Sequence, residues 1–203
     1  MKIICIGRNY RDHIAEMDSP VPEEPLFFLK PETALIRAGL PFFIPDFSAE
    51  IHYEVELVLR ICKLGKHIQP RFAHKYYREV GVGIDFTARD LQRDCIRKGL
   101  PWERAKAFDG SAPVSRMLPL AALKHPGRIV FSLQKNGSTV QQGVSSDMIH
   151  SFDQLIAHVS SYVTLKIGDL VFTGTPAGVG QVEAGDCLEA YLEGEKLLQV
   201  DVR

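Results

Sequence analysis

The stretch Ile51-His52-Tyr53-Glu54-Val55-Glu56-Leu57-Val58-Leu59-Arg60-Ile61 (IHYEVELVLRI, residues 51–61) carries an apolar side chain at every odd position. Its even positions read His, Glu, Glu, Val and Arg. Alternation with period two predicts a β-strand with one face in a core. Glutamate has little preference for strands, so two on one face need a reason. They are either solvent-facing charge or the beginning of a metal site. Two residues along a strand span about 6.7 Å, close enough for both carboxylates to reach one ion lying over that face. Hard divalent cations favour such oxygens and keep positions open for water or substrate.

Asp85 adds a third candidate. It ends the small, apolar strand pattern of REVGVGIDF, where functional side chains tend to be placed, although a helix-entry role would also suit it. A shared ion requires the nearest oxygens of Glu54, Glu56 and Asp85 to lie within about 6 Å, because ligand distances are roughly 2.1 Å.

The rest of the chain frames this trio. At 203 residues one hydrophobic core suffices, and no linker, repeat or low-complexity tract divides the sequence, so residues 1–203 read as a single domain. Lys and Arg total 24 against 25 Asp and Glu, a net charge of −1. That balance offers no basic field for nucleic acid and leaves a small neutral or anionic ligand as the simpler expectation. Cys5, Cys62, Cys95 and Cys187 form no CxxC pair, so they read as buried free thiols of a reducing compartment. The apolar run near the N-terminus is short for a signal peptide and nothing approaches a membrane span, so the expected location is the cytoplasm.

Local patterns predict strands at 2–6, 26–30, 42–44 and 51–61, and a helical turn at 12–17. A short helix is expected at 73–79, leading into REVGVGIDF. Thr87 and Asp90 have the spacing of a capping box for ARDLQRDCIRK, which Gly99 and Pro101 stop. A helix is expected around 151–159, and Asn136-Gly137 predicts a two-residue hairpin. KIGDLVFTG and EAGDCLEAY share a Gly-Asp turn, which suggests successive strands of one antiparallel sheet or barrel.

Three further constellations can carry chemistry. His13 and Glu16 share one face of a helical turn, where a carboxylate can fix the imidazole tautomer for proton transfer; a surface ion pair has the same spacing. Lys106 sits among Trp102, Ala105, Ala107 and Phe108, so it is either a buried cation beside an anion or a snorkelling lysine. TGTPAGVG (173–180) lacks the signature of a phosphate loop or dinucleotide fingerprint, yet its amides and the Thr175 hydroxyl can serve a carboxylate or oxyanion as readily as they can form a tight turn.

In order along the chain, GRNYRDHIAE, FLKP, YEVEL, GIDFTARDLQ, KAFDGSAP, FTGTPAGVG and GDCLE resemble the fumarylacetoacetate hydrolase family, and in particular its small acylpyruvase-like members. The resemblance implies an α+β, mainly β fold: a mixed β-sandwich roll or pseudo-barrel, a homodimer, with a Mg²⁺ or Mn²⁺ site. It places the metal on Glu54, Glu56 and Asp85, and the catalytic groups on His13, Glu16 and Lys106. It places Arg8, Gln92 and Thr175 along the substrate pocket, and residues 7–25 in a mobile lid.

The chain departs from that pattern at Ile84, where Asn is common, in VLRI after YEVEL, and at Gly194-Glu195-Lys196. The activity implied is hydrolysis of a carbon–carbon bond in a 3-acylpyruvate, a β-diketo acid. The alternative is decarboxylation or keto–enol tautomerisation of oxaloacetate on the same metal site. A non-catalytic binding protein on this fold is expected to have lost a carboxylate or the His-Glu pair, and this chain keeps both.

Overall fold

The computed structural model describes residues 1–36 and 39–203. Its framework is a six-stranded sheet in the order Leu26–Lys30, Ile3–Gly7, Leu170–Phe172, Val55–Ile61, Tyr77–Ile84, Leu118–Pro119. Ile3–Gly7 and Leu170–Phe172 run parallel; the other neighbours are antiparallel. A four-stranded antiparallel sheet has the order Ser138–Val144, Val130–Lys135, Cys187–Leu192, Glu195–Asp201. Two small ribbons complete the set, Gly180–Gln181 with Ile51–Tyr53 and Thr87–Ala88, and Leu35–Ile36 with Ala112–Pro113. Among the described residues no sheet closes into a barrel, and the fold is α+β with strands dominant.

The alternation in 51–61 proves to separate two buried layers. Leu57, Leu59 and Ile61 enter the main core with Val80, Val82 and Ile84. On the opposite face Val58 joins a smaller core with Ile3, Cys5, Leu170 and Phe172. Sheet neighbours on both sides and cover on both faces therefore exclude the solvated-face alternative, and only Arg60 is exposed, paired with Glu79.

The stretch is also two strands. Ile51–Tyr53 belongs to the three-stranded ribbon and Val55–Ile61 to the large sheet, with Glu54 at the crease between them. A residue in a crease is free of one ladder, so its carboxylate can be turned toward a neighbouring strand end. Asp85 is that neighbour: its N–H donates to the Glu54 carbonyl at 2.8 Å, one step beyond the Val55–Ile84 pair.

Other local expectations divide in the same way. Helix Phe152–Tyr162 begins with a full capping box between Ser151 and Gln154. It buries Phe152, Leu155, Ile156 and Val159 in the main core. Asn136 and Gly137 both take positive φ, 53° and 80°, as a tight hairpin turn requires.

The expected helix at 73–79 is instead Pro70–Ala73, with Pro70 at its start where a missing N–H is harmless, and strand Tyr77–Ile84 follows. The strand expected at 42–44 is reduced to a single bridge between Phe42 and Val202. KIGDLVFTG and EAGDCLEAY contribute to different sheets, since Leu170–Phe172 is drawn between Ile3–Gly7 and Val55–Ile61. Of the cysteines, Cys5 and Cys95 are buried while Cys62 and Cys187 are half-buried; all four are free thiols. No described helix is long and apolar enough to cross a membrane.

Candidate active site

The crease brings the three carboxylates together. One oxygen from each of Glu54, Glu56 and Asp85 lies within 4.8 Å of the others, and all three residues are buried. Such a concentration of negative charge is untenable without compensation. Lys106 supplies part of it, donating to Glu54 Oε2 at 2.7 Å, Asp85 Oδ2 at 2.9 Å and Thr87 Oγ1 at 2.6 Å. The Arg89 guanidinium pairs with Glu54 Oε1, and Lys30 Nζ stands 2.8 Å from Asp85 Oδ1.

These arrangements set the protonation of the cluster. Burial alone would raise Glu54, but the Lys106 and Arg89 cations outweigh it and hold Glu54 well below the usual carboxylate range. Glu56 goes the other way, pushed well above its ordinary value by burial and by the charges of Asp85 and Glu54. The Gly174 N–H, donating to Glu56 Oε2 at 2.6 Å, opposes that rise. Lys106 is raised: burial would lower it, and the neighbouring carboxylates override that.

Gly174 can approach because it has no side chain. Its φ is +103°, and a Cβ there would stand 2.7 Å from that of Asn9.

The donor set suits a hard divalent cation. It offers three carboxylates and no sulfur or imidazole ligand, and Asp85 Oδ1 is buried with no aligned hydrogen bond, its contact with Lys30 being ionic only. An acceptor left in that state is normally costly. Coordination would satisfy it.

The cluster forms the floor of a cleft of about 540 Å³ including its open mouth. Polar lining comes from Arg8, His13, Arg89, Gln92 and Thr175; Ile14, Met17, Phe28, Ile96 and Trp102 make the apolar wall. Helix Arg11–Glu16 lies over one side. His13 is buried, with Nδ1 3.1 Å from Glu16 Oε2, and Glu16 Oε1 accepts from the Gly178 N–H at 3.0 Å. The His-Glu pair is thus fastened to the glycine-rich loop 173–180. Arg8, just before this helix, holds a left-handed backbone conformation at φ 58°, uncommon for a residue with a side chain. Gln92 accepts from Arg89 Nη1 at 2.5 Å.

Several residues here had no place in the site as the sequence was read. Thr87, expected to cap helix Arg89–Lys98, lies in strand Thr87–Ala88 with its hydroxyl on Lys106, and it donates to the Asp85 carbonyl at 3.2 Å. The helix has Ala88 at its N-cap, and Asp90 instead binds Ser48, the Ala49 N–H and its own neighbour's N–H. A threonine followed three residues later by an acid has the box spacing, but a strand's geometry turns the hydroxyl inward. Lys30 carried the same signal as Lys106, an ammonium among apolar neighbours in LFFLK. Arg89 carried none. Ile84, the departure beside Asp85, points into the main core and away from the carboxylates.

Comparison with known proteins accords with this arrangement. The family profile described as fumarylacetoacetate (FAA) hydrolase, C-terminal, matches residues 2–203. The chain belongs to the fumarylacetoacetate hydrolase family. Among the family's members, oxaloacetate tautomerase YcgM of Escherichia coli (strain K12) is 44% identical over 197 residues, covering 97% of this chain and 90% of that one. The mitochondrial oxaloacetate tautomerase FAHD1 of Homo sapiens is 41% identical over 192 residues, 95% of this chain and 87% of its own. A fumarylpyruvate hydrolase from Pseudomonas aeruginosa, solved with Mn²⁺ and pyruvate, superposes with a TM-score of 0.94 at 38% identity, covering 100% of this chain and 89% of that one.

Proposed function

We propose that this protein is a divalent-metal-dependent oxaloacetate keto–enol tautomerase. The observation that carries the reading is the buried trio Glu54, Glu56 and Asp85, with one oxygen from each within 4.8 Å, at the floor of a cleft overhung by His13 and Glu16. Relatives named oxaloacetate tautomerase favour this arm of the sequence reading over acylpyruvate hydrolysis.

Glu54, Glu56 and Asp85 would hold Mg²⁺ or Mn²⁺. When bound, the cation supplies positive charge to the oxygens of a 2-oxo acid, which favours the enolate over the ketone. The chain's own groups do the rest. In the tautomer with Nδ1–H directed at Glu16, His13 would offer the Nε2 lone pair to the cleft, suited to take a proton from C3 and return it to the oxygen at C2. Lys106 acts by its charge, because its three N–H donors are already committed to Glu54, Asp85 and Thr87. Thr175 and Gln92 bind oxygens of the proximal carboxylate, and Arg8 pairs with the distal carboxylate that distinguishes oxaloacetate from a simple acylpyruvate. Closure of residues 7–25 keeps bulk water out, and the Glu16 bond to Gly178 supports this.

Dimer formation is part of the proposal. Leu40 and Phe43 are 55% and 70% exposed and line a shallow hollow with Leu35, Ile36 and Pro41, apolar surface that a second copy would cover.

A second reading, hydrolysis of a 3-acylpyruvate, is favoured by the likeness to the fumarylpyruvate hydrolase and by the same His-Glu pair, which can equally activate water. Ultraviolet absorbance of the oxaloacetate enol distinguishes the two. Tautomerisation speeds enol–keto exchange with no loss of substrate, hydrolysis releases pyruvate and a second acid from an acylpyruvate, and decarboxylation releases carbon dioxide. Exchange that a chelator and Glu56→Ala leave unaffected would refute the metal-dependent reading.

A further inference from the structure

Gln141 is 1% exposed and lies on strand Ser138–Val144 of the four-stranded sheet, yet its carboxamide reaches the active site from behind. Its Oε1 accepts from the N–H of Val55, the residue between Glu54 and Glu56, at 2.8 Å. Its Nε2 donates to Thr175 Oγ1 at 2.8 Å and to the Pro176 carbonyl at 2.9 Å.

Two backbone groups fix which way the amide faces. Val55 N–H can only donate and the Pro176 carbonyl can only accept, so the oxygen must lie toward the first and the nitrogen toward the second. Nε2 therefore delivers a proton to the Thr175 oxygen, and the hydroxyl's own proton must go elsewhere. Among the described residues the one protein acceptor within hydrogen-bond reach of it is the Pro176 carbonyl at 3.5 Å, long for an O–H bond and already served by Gln141. Thr175 lines the cleft. Its hydroxyl is left as a donor facing the cleft.

We infer that Gln141 is a positioning residue that sets the polarity of Thr175, so that the hydroxyl donates to an anionic oxygen of a bound 2-oxo acid. The amide's second function is to tie that donor to the carboxylate strand through Val55, keeping the distance between the Thr175 hydroxyl and the carboxylate trio constant. This rests on the proposal that the cleft binds 2-oxo acids, and adds to it a residue outside the cleft.

The test is calorimetric binding of Mn²⁺, and then of pyruvate to the Mn²⁺-loaded protein. In Gln141→Met the Pro176 carbonyl loses its donor and the Thr175 hydroxyl turns to it, away from the cleft. Pyruvate affinity should fall about 10- to 100-fold, the loss of one hydrogen bond to a charged group, while Mn²⁺ still binds. Gln141→Glu keeps the acceptor for Val55 but takes the Thr175 proton for itself. It should weaken pyruvate in the same direction, and it serves if the methionine variant does not fold.

In a Thr175→Val background either change should have no further effect on pyruvate. Equal losses with and without the Thr175 hydroxyl, or unchanged pyruvate affinity in a folded variant, would overturn the assignment alone. Wild-type protein that binds Mn²⁺ but not pyruvate would overturn it together with the functional reading.

Discussion

Replacing Lys30 by methionine tests whether the carboxylate trio depends on cations that touch no solvent. Lys30 is 1% exposed; its ammonium stands 2.8 Å from Asp85 Oδ1 and donates to the Ser111 carbonyl at 3.0 Å and the Ser111 hydroxyl at 2.8 Å. Methionine fills nearly the same volume, so the cavity contribution is small. What is lost is the partner of a buried carboxylate that has no aligned hydrogen bond on that oxygen, and removal of one member of a buried pair costs about 3 to 5 kcal/mol. Against a whole-protein stability of about 5 to 15 kcal/mol, Lys30→Met should be close to unfolding at modest urea.

The assay is urea unfolding followed by circular dichroism, with a chelator present throughout. A midpoint shift equivalent to less than about 1 kcal/mol, the range of an exposed ion pair, would refute the reasoning. Repeating the titration in saturating Mn²⁺ should narrow the gap between variant and wild type, because the ion supplies the positive charge that Asp85 no longer receives from Lys30.

Three other outcomes follow from the same geometry. Lys106→Ala removes a fixed cation from the reacting centre and should lower kcat by about 10² to 10³, checked in the enol-exchange assay with Mn²⁺ saturating. Glu16→Gln keeps an acceptor for Gly178 but weakens the hold on His13; kcat should fall while Mn²⁺ affinity by calorimetry stays at the wild-type value. Asp90 contributes stability at the acid limb. Burial would raise it, but hydrogen bonds from Ser48, Ala49 N–H and Leu91 N–H hold it below its usual 3.8. A depressed folded value means the contribution is present above 3.8 and is lost as pH falls through the lower folded value, so Asp90→Asn should flatten that limb in thermal unfolding monitored from pH 5 downward.

How much of this was written in the sequence depends on whether the information is local. The hairpin at Asn136-Gly137 and the helix around 151–159 are decided by residues close in the chain, and the sequence states them openly. The motif order named the family and drew attention to Glu54, Glu56, Asp85, His13, Glu16 and Lys106, which the fold places around one cleft.

What periodicity could not tell was the environment of the even face of 51–61. A strand with one solvated face and a strand between two cores show the same alternation when the second layer happens to be lined with acids and cations. Glu54 looks solvent-facing for that reason, and the crease that frees it depends on Thr87–Ala88 and Gly180–Gln181 pairing with Ile51–Tyr53 from distant parts of the chain. Gln141 is the extreme case. Nothing near it in TVQQG suggests a role, and its importance exists only once a strand 86 residues away presents the Val55 N–H and a loop 34 residues away presents the Thr175 hydroxyl. Charged residues in apolar settings, Lys30 and Lys106 alike, are the local trace that such a polar layer leaves, because an ammonium group among Phe, Leu and Ala is stable only where the fold returns an anion to it.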